Sequence, residues 1–77
     1  MDMADFYAAR LDEDEAAART WLDRDRRPLR EVEAKRAILA MYADGLAYDD
    51  YAVGRAIRVL VAVYSDHPDY DEKWGMP

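Results

Sequence analysis

Asp12, Glu13, Asp14 and Glu15 form an unbroken run of four carboxylates, the densest chemical feature of the chain. Such a run can gather cations or imitate nucleic-acid phosphates, yet on an amphipathic helix it is ordinarily the solvated face. A catalytic carboxylate pair needs a pocket that shifts its proton affinity, and no neighbouring residue announces one. His67 is the single histidine and stands beside Asp66, Asp69 and Asp71. Because the chain has no cysteine, a metal site would have to be completed from those carboxylates, and the position directly before Pro68 fits a helix-opening turn better. No metal ligand is assigned. Six of the eleven basic residues (Arg24, Arg26, Arg27, Arg30, Lys35 and Arg36) lie in one window. They could follow a phosphate backbone, but Asp23, Asp25, Glu31 and Glu33 are interleaved with them, which favours pairing with the acidic first segment. A phosphate-binding glycine loop, a nucleophile elbow and an HExxH pattern are all missing, so the expectation is no catalytic residue, no cofactor and no enzyme activity.

Composition narrows the classes further. The chain has 77 residues, 17 acidic and 11 basic, for a net charge of −6. That charge repels a phosphate backbone as a whole, so nucleic acid is disfavoured as a partner. With 52% apolar and 36% charged residues the sequence is that of a folded domain, read as one helical domain over residues 1–77. A core this small supplies only about 3–5 kcal/mol, and no disulfide can add to it, so self-association or a partner is expected to help. The opening Met1 to Asp5 has no basic residue and no apolar run behind it, and the longest apolar stretch, Val59 to Tyr64, is far short of a membrane span. A cytoplasmic protein without a membrane partner is expected.

The elements that must position these residues are read from periodicity and breakers. A first helix over about 3–22 opens on Asp2 as a cap and gathers Phe6, Tyr7, Leu11, Ala18, Trp21 and Leu22 on one face. A second, over about 28–43, starts with Pro28 in its first turn, stops before Gly45, and carries Leu29, Val32, Ile38, Leu39, Met41 and Tyr42. The segment 50–65 repeats both as a strand and as a helix. With no second strand to pair with, and with Asp49 and Asp50 available as caps, it reads as helix. His67-Pro68 breaks it, and a short helix over 68–74 places Tyr70 and Trp74 on one docking face. The fold class is therefore all-α: a three-helix bundle with a short C-terminal helical tail.

Ten of the thirteen residues from Ala52 to Tyr64 are apolar, so this helix is apolar nearly all round, and two neighbours in a short chain cannot cover it. That implies a homodimer or another protein partner. The expected interface is Val53, Ile57, Leu60, Val61 and Tyr64, with Tyr70 and Trp74.

Three stretches carry a resemblance: Ala8 to Glu15 (AARLDEDE), Val32 to Ile38 (VEAKRAI), and Tyr64 to Tyr70 (YSDHPDY) followed by Trp74. In order and wording they resemble a family of small proteins of unknown function from high-GC Gram-positive bacteria and their phages, whose members read RARLDEDE, EVEAKRRIV and YADHPDY…W. This chain lacks the Gly-Pro-Trp segment and strand-like insert between the first two blocks, and the Cys-containing loop before the last helix. The resemblance implies a phage or mobile-element origin and carries no mechanism. The functional expectation is a small helical interaction module. The alternative is an acidic phage-type effector that mimics nucleic acid, and DNA binding through residues 24–36 ranks below both.

Overall fold

The computed structural model describes residues 1–44 and 50–75. Three helices follow one another: α1 (Met3–Arg19), α2 (Arg27–Asp44) and α3 (Asp50–Val61), with 3-10 turns at Ala62–Tyr64 and Glu72–Trp74. Among the described residues there is no strand. α1 packs on α2, and α2 packs on α3. The molecule is a helical bundle, and its smallest dimension, 19 Å, is only about two helix diameters. A helix in so thin a body keeps one side facing out.

Local chemistry sets the helix ends. The Asp2 carboxylate accepts from the Asp5 N–H at 2.8 Å and satisfies one of the free amides of α1. α1 is shorter than the expected 3–22. After Arg19 the backbone tightens, with Trp21 N–H bonding Ala18 O at 3.2 Å and Arg24 N–H bonding Trp21 O at 2.9 Å. The Thr20 hydroxyl also donates to Ala17 O at 2.6 Å, so this last turn closes on itself. As a consequence Trp21 leaves the apolar face and is 54% exposed. Asp25 then accepts from the Arg27 N–H at 2.9 Å, which starts α2 with Pro28 in its first turn. The stop expected at Gly45 and the cap at Asp49 lie outside the described residues.

The third segment is helical as its context implies, but the regular helix ends at Val61 and winds tighter through Tyr64. The expected helix over 68–74 is reduced to the turn at Glu72–Trp74. Its start is Asp71, in extended conformation, whose carboxylate accepts from the Lys73 N–H at 2.9 Å. Pro68 opens only a tight turn, because the Asp69 N–H is taken by His67 Nδ1 at 3.0 Å.

Phe6, Tyr7, Leu11, Ile57 and Val61 are fully buried, joined by Met3, Val32 and Leu39. Phe6 is the hub: its ring centroid lies 5.1 Å from Trp74, 5.4 Å from His67, 6.1 Å from Tyr70 and 6.4 Å from Tyr64. Edge and tilted ring pairs of this kind add about 0.5–1.5 kcal/mol each beyond burial. They fasten the C-terminal segment across α1. Arg58 holds the same segment to α3, donating to Lys73 O at 3.1 Å and Trp74 O at 3.2 Å.

Candidate functional site

The acidic run and His67, singled out for chemistry, make contacts inside the chain. Successive helical positions turn by about 100°, so the four carboxylates of α1 point in different directions. Asp12 and Glu15 meet Arg36 of α2 at 2.8 and 3.4 Å. Glu13 pairs with Arg10 at 3.1 Å, and Asp14 accepts the hydroxyl hydrogen of Tyr64. They form no continuous row that could stand in for phosphates. The hydrogen bond to Asp12, which outweighs the opposing desolvation, and then the Glu15 and Asp12 charges hold the Arg36 guanidinium above its ordinary proton affinity.

Arg10 is the unexpected member of this set. It lies on the buried side of α1, its guanidinium 5.0 Å from the centroid of the Phe6 ring and in hydrogen-bonding contact with His67 Nε2. A neutral imidazole accepts at only one nitrogen, so Arg10 and the Asp69 N–H compete for the His67 lone pair. His67 is thereby enclosed between α1 and its own turn, and among the described residues no cluster of three or more His, Asp or Glu is placed to hold a metal ion. Burial of Arg10 was readable in principle, since on a 100° wheel position 10 falls between Phe6 and Leu11.

Tyr7 and Tyr64 sit together, ring centroids 6.2 Å apart. Burial, with the charge of Asp14 as the lesser cause, pushes the Tyr7 phenol up to about 12. Burial, then the hydrogen bond to Asp14, raises Tyr64 as well. Both phenols stay protonated at neutral pH, the opposite of the shift that arms a general base or nucleophile. The Tyr7 hydroxyl and Arg10 Nε are buried and make no hydrogen bond among the described residues. This cluster is built as a fastening.

A groove of about 270 Å³ opens between α1 and the start of α2, over Ala18 and Val32, with Asp14, Trp21, Glu31 and Lys35 around it. It is smaller than the roughly 300–1,000 Å³ of typical ligand pockets. Of the basic window, Arg24 lies over the Trp21 ring at 5.2 Å and Arg36 is held by α1, whereas Arg26, Arg27 and Arg30 are exposed.

The comparison with known families can now be placed on this geometry. A family model described as a family of unknown function, DUF6221, matches residues 23–76. The chain belongs to DUF6221. No curated protein and no solved structure matches it. The DUF6221 segment holds α2, α3 and the docked tail, and α1 precedes it. Yet Val32, Leu39, Ile57 and Val61 of that segment share one core with Phe6, Tyr7 and Leu11 of α1. The three stretches that carry the resemblance also meet in space, through Arg36 with Asp12, Tyr64 with Asp14 and His67 with Arg10. Their wording describes how the bundle is held together.

The expected interface splits. Ile57 and Val61 lie in the chain's own core with no exposure, which removes them from any outer surface. Val53, Leu60, Tyr64, Tyr70 and Trp74 are half-buried against the same core. The side of α3 left outside carries Ala56 and Val59, and Val63 follows in the 3-10 turn, with Val59 57% and Val63 74% exposed. An apolar stripe is present, about half a turn away from where Ile57 and Val61 would have put it. The sequence signal for that phase is confined to Arg55 and Arg58, since the rest of this helix from Ala52 onward is apolar or glycine.

Proposed function

We propose that this chain is a small helical interaction module that works by binding protein through the outer side of α3 and performs no reaction of its own. The observation that carries the reading is the pair Val59 on α3 and Val63 on the 3-10 turn that continues it, both strongly exposed while Ile57 and Val61 on the inner side are fully buried. Isolated exposed valines need no explanation, but here Ala56, Val59 and Val63 are all exposed within one short stretch of continuous helix and turn. The pairings of Asp12, Asp14, Glu15, Arg10 and His67 support the same reading, since the groups best suited to chemistry are committed to the fold. A site-specific test is a photoreactive side chain at position 63, irradiated in cells, with the same probe at exposed Glu33 on α2 as control. A discrete protein adduct at position 63 and none at 33 is expected. Irradiation that yields no adduct from position 63 sinks the reading.

A further inference from the structure

We infer that the groove between α1 and the start of α2 is a binding site for a basic side chain of a protein partner, an arginine above all. The inference goes beyond the reading of α3 and does not depend on it. Asp14, Ala18 and Trp21 recur at helical spacing along α1 and the turn that ends it, and Glu31, Val32 and Lys35 share one side of α2, so the two rows line one trough. Its floor is apolar, since Ala18 and Val32 are both buried. Trp21, turned off the core by the early end of α1, stands beside that floor with 54% of its surface exposed. A carboxylate lines the trough from each helix, Asp14 on α1 and Glu31 on α2. The Tyr64 hydroxyl takes only Oδ2 of Asp14, and neither carboxylate has an ion pair among the described residues.

An apolar floor between carboxylates without ion pairs matches a long basic side chain, whose carbon stem packs on apolar surface while its charged head meets the carboxylates. A guanidinium fits better than an ammonium, because its plane stacks on an aromatic ring and its fork meets carboxylate oxygens in pairs. The Trp21 ring already accepts such a group, with the Arg24 guanidinium 5.2 Å from its centroid. The volume of about 270 Å³ suits one side chain and not a larger ligand. At longer range the net charge of −6 draws cations towards the chain. Lys35 is the opposing charge on the lining; it competes with an incoming cation and holds the affinity down.

The test is an NMR titration of the isotopically labelled full chain with N-acetyl-arginine amide, set against N-acetyl-citrulline amide, which keeps the shape and lacks the charge. The indole N–H signals of Trp21 and Trp74 are told apart with Trp21→Phe. One side chain in an open groove binds with a dissociation constant on the order of millimolar. The arginine probe is expected to give a saturable shift at Trp21 and none at Trp74. Binding should weaken several-fold in Glu31→Gln and in high salt, and tighten several-fold in Lys35→Gln. Glu31 and Trp21 are exposed, so both variants keep the fold, which the same spectra verify. No saturable Trp21 shift up to tens of millimolar, an equal response to the citrulline probe, or an unchanged constant in Glu31→Gln overturns the inference. A Trp21 response to inorganic phosphate that Lys35→Gln abolishes assigns the groove to anions and overturns it as well. The two sites fail separately: a silent groove leaves the adduct expected at position 63 untouched, and a missing adduct there leaves the arginine site standing.

Discussion

Ile57 and Val59 are two residues apart on one helix, both β-branched and apolar, and the structure gives them opposite tasks. Ile57 has no exposure and touches the core shared by α1, α2 and α3, whereas Val59 is 57% exposed. Ile57→Ala deletes buried carbon and leaves a cavity, which costs about 2–5 kcal/mol. A domain of this length holds only about 4–11 kcal/mol in total, so much of its stability disappears. At about 4–8 °C per kcal/mol, a loss of roughly 3 kcal/mol lowers the melting temperature by about 12–24 °C. Val59→Ala removes carbon that is mostly in water and gains a few tenths of a kcal/mol from the better helix propensity of alanine, so its net effect lies within about 0.5 kcal/mol. Circular dichroism melts and urea titrations at low micromolar concentration measure both variants as monomers, and sedimentation at high concentration then reads association. Ile57→Ala is expected to melt early, and Val59→Ala to melt normally while associating more weakly. Equal destabilisation by the two substitutions, or an unaffected Ile57→Ala, refutes the assignment of inner and outer faces.

Other substitutions probe the fastenings. Trp74→Ala removes the ring nearest to Phe6 and is expected to cost about 2–3 kcal/mol and to expose the bond after Lys73 to trypsin, measured by digestion time courses. Arg36→Gln breaks the α1–α2 ion pairs to Asp12 and Glu15; because these side chains are partly solvated, urea titrations should show a loss of only about 0.5 kcal/mol that shrinks in high salt. Gly54→Ala should gain about 0.5–1 kcal/mol by urea titration, since the added carbon would meet the Tyr42 ring at an ordinary 3.8 Å and the helix interior favours alanine. Tyr7 ionises at about 12 in the fold against an ordinary value of 10; its contribution to stability is fully present below 10 and is lost as pH rises through about 12. Ultraviolet titration should accordingly show its phenolate only at that alkaline end, and Tyr7→Phe should remove the step.

Much of the fold was legible because local signals agreed. Asp2 precedes its helix, Pro28 sits where its missing N–H has no cost, and Phe6, Tyr7 and Leu11 recur at helical spacing. The misreadings come from tertiary context. Trp21 belongs to the apolar pattern of α1, but the Thr20 hydroxyl closes the helix before it. Tyr70 and Trp74 dock as expected, though on a capped turn at Asp71 and not on a helix from Pro68. Arg10 was passed over in the sequence although it shares the face of Phe6 and Leu11, and the His67 turn folds back over it. The outer stripe was legible as a surplus of apolar residues, while its phase was marked only by Arg55 and Arg58, and Arg58 turns to the carbonyls of the C-terminal segment.

The central claim is that Val59 and Val63 form the binding surface while Ile57 and Val61 belong to the core. Methyl NMR of the isotopically labelled chain, titrated from micromolar to millimolar concentration, tests it directly. The account predicts that the Val59 and Val63 signals shift together with concentration while those of Ile57, Val61 and Val32 stay in place. Stationary Val59 and Val63 signals would contradict self-association through this surface, and shifts centred instead on Ile57, Val61 or the groove beside Trp21 would contradict the assignment of the surface itself.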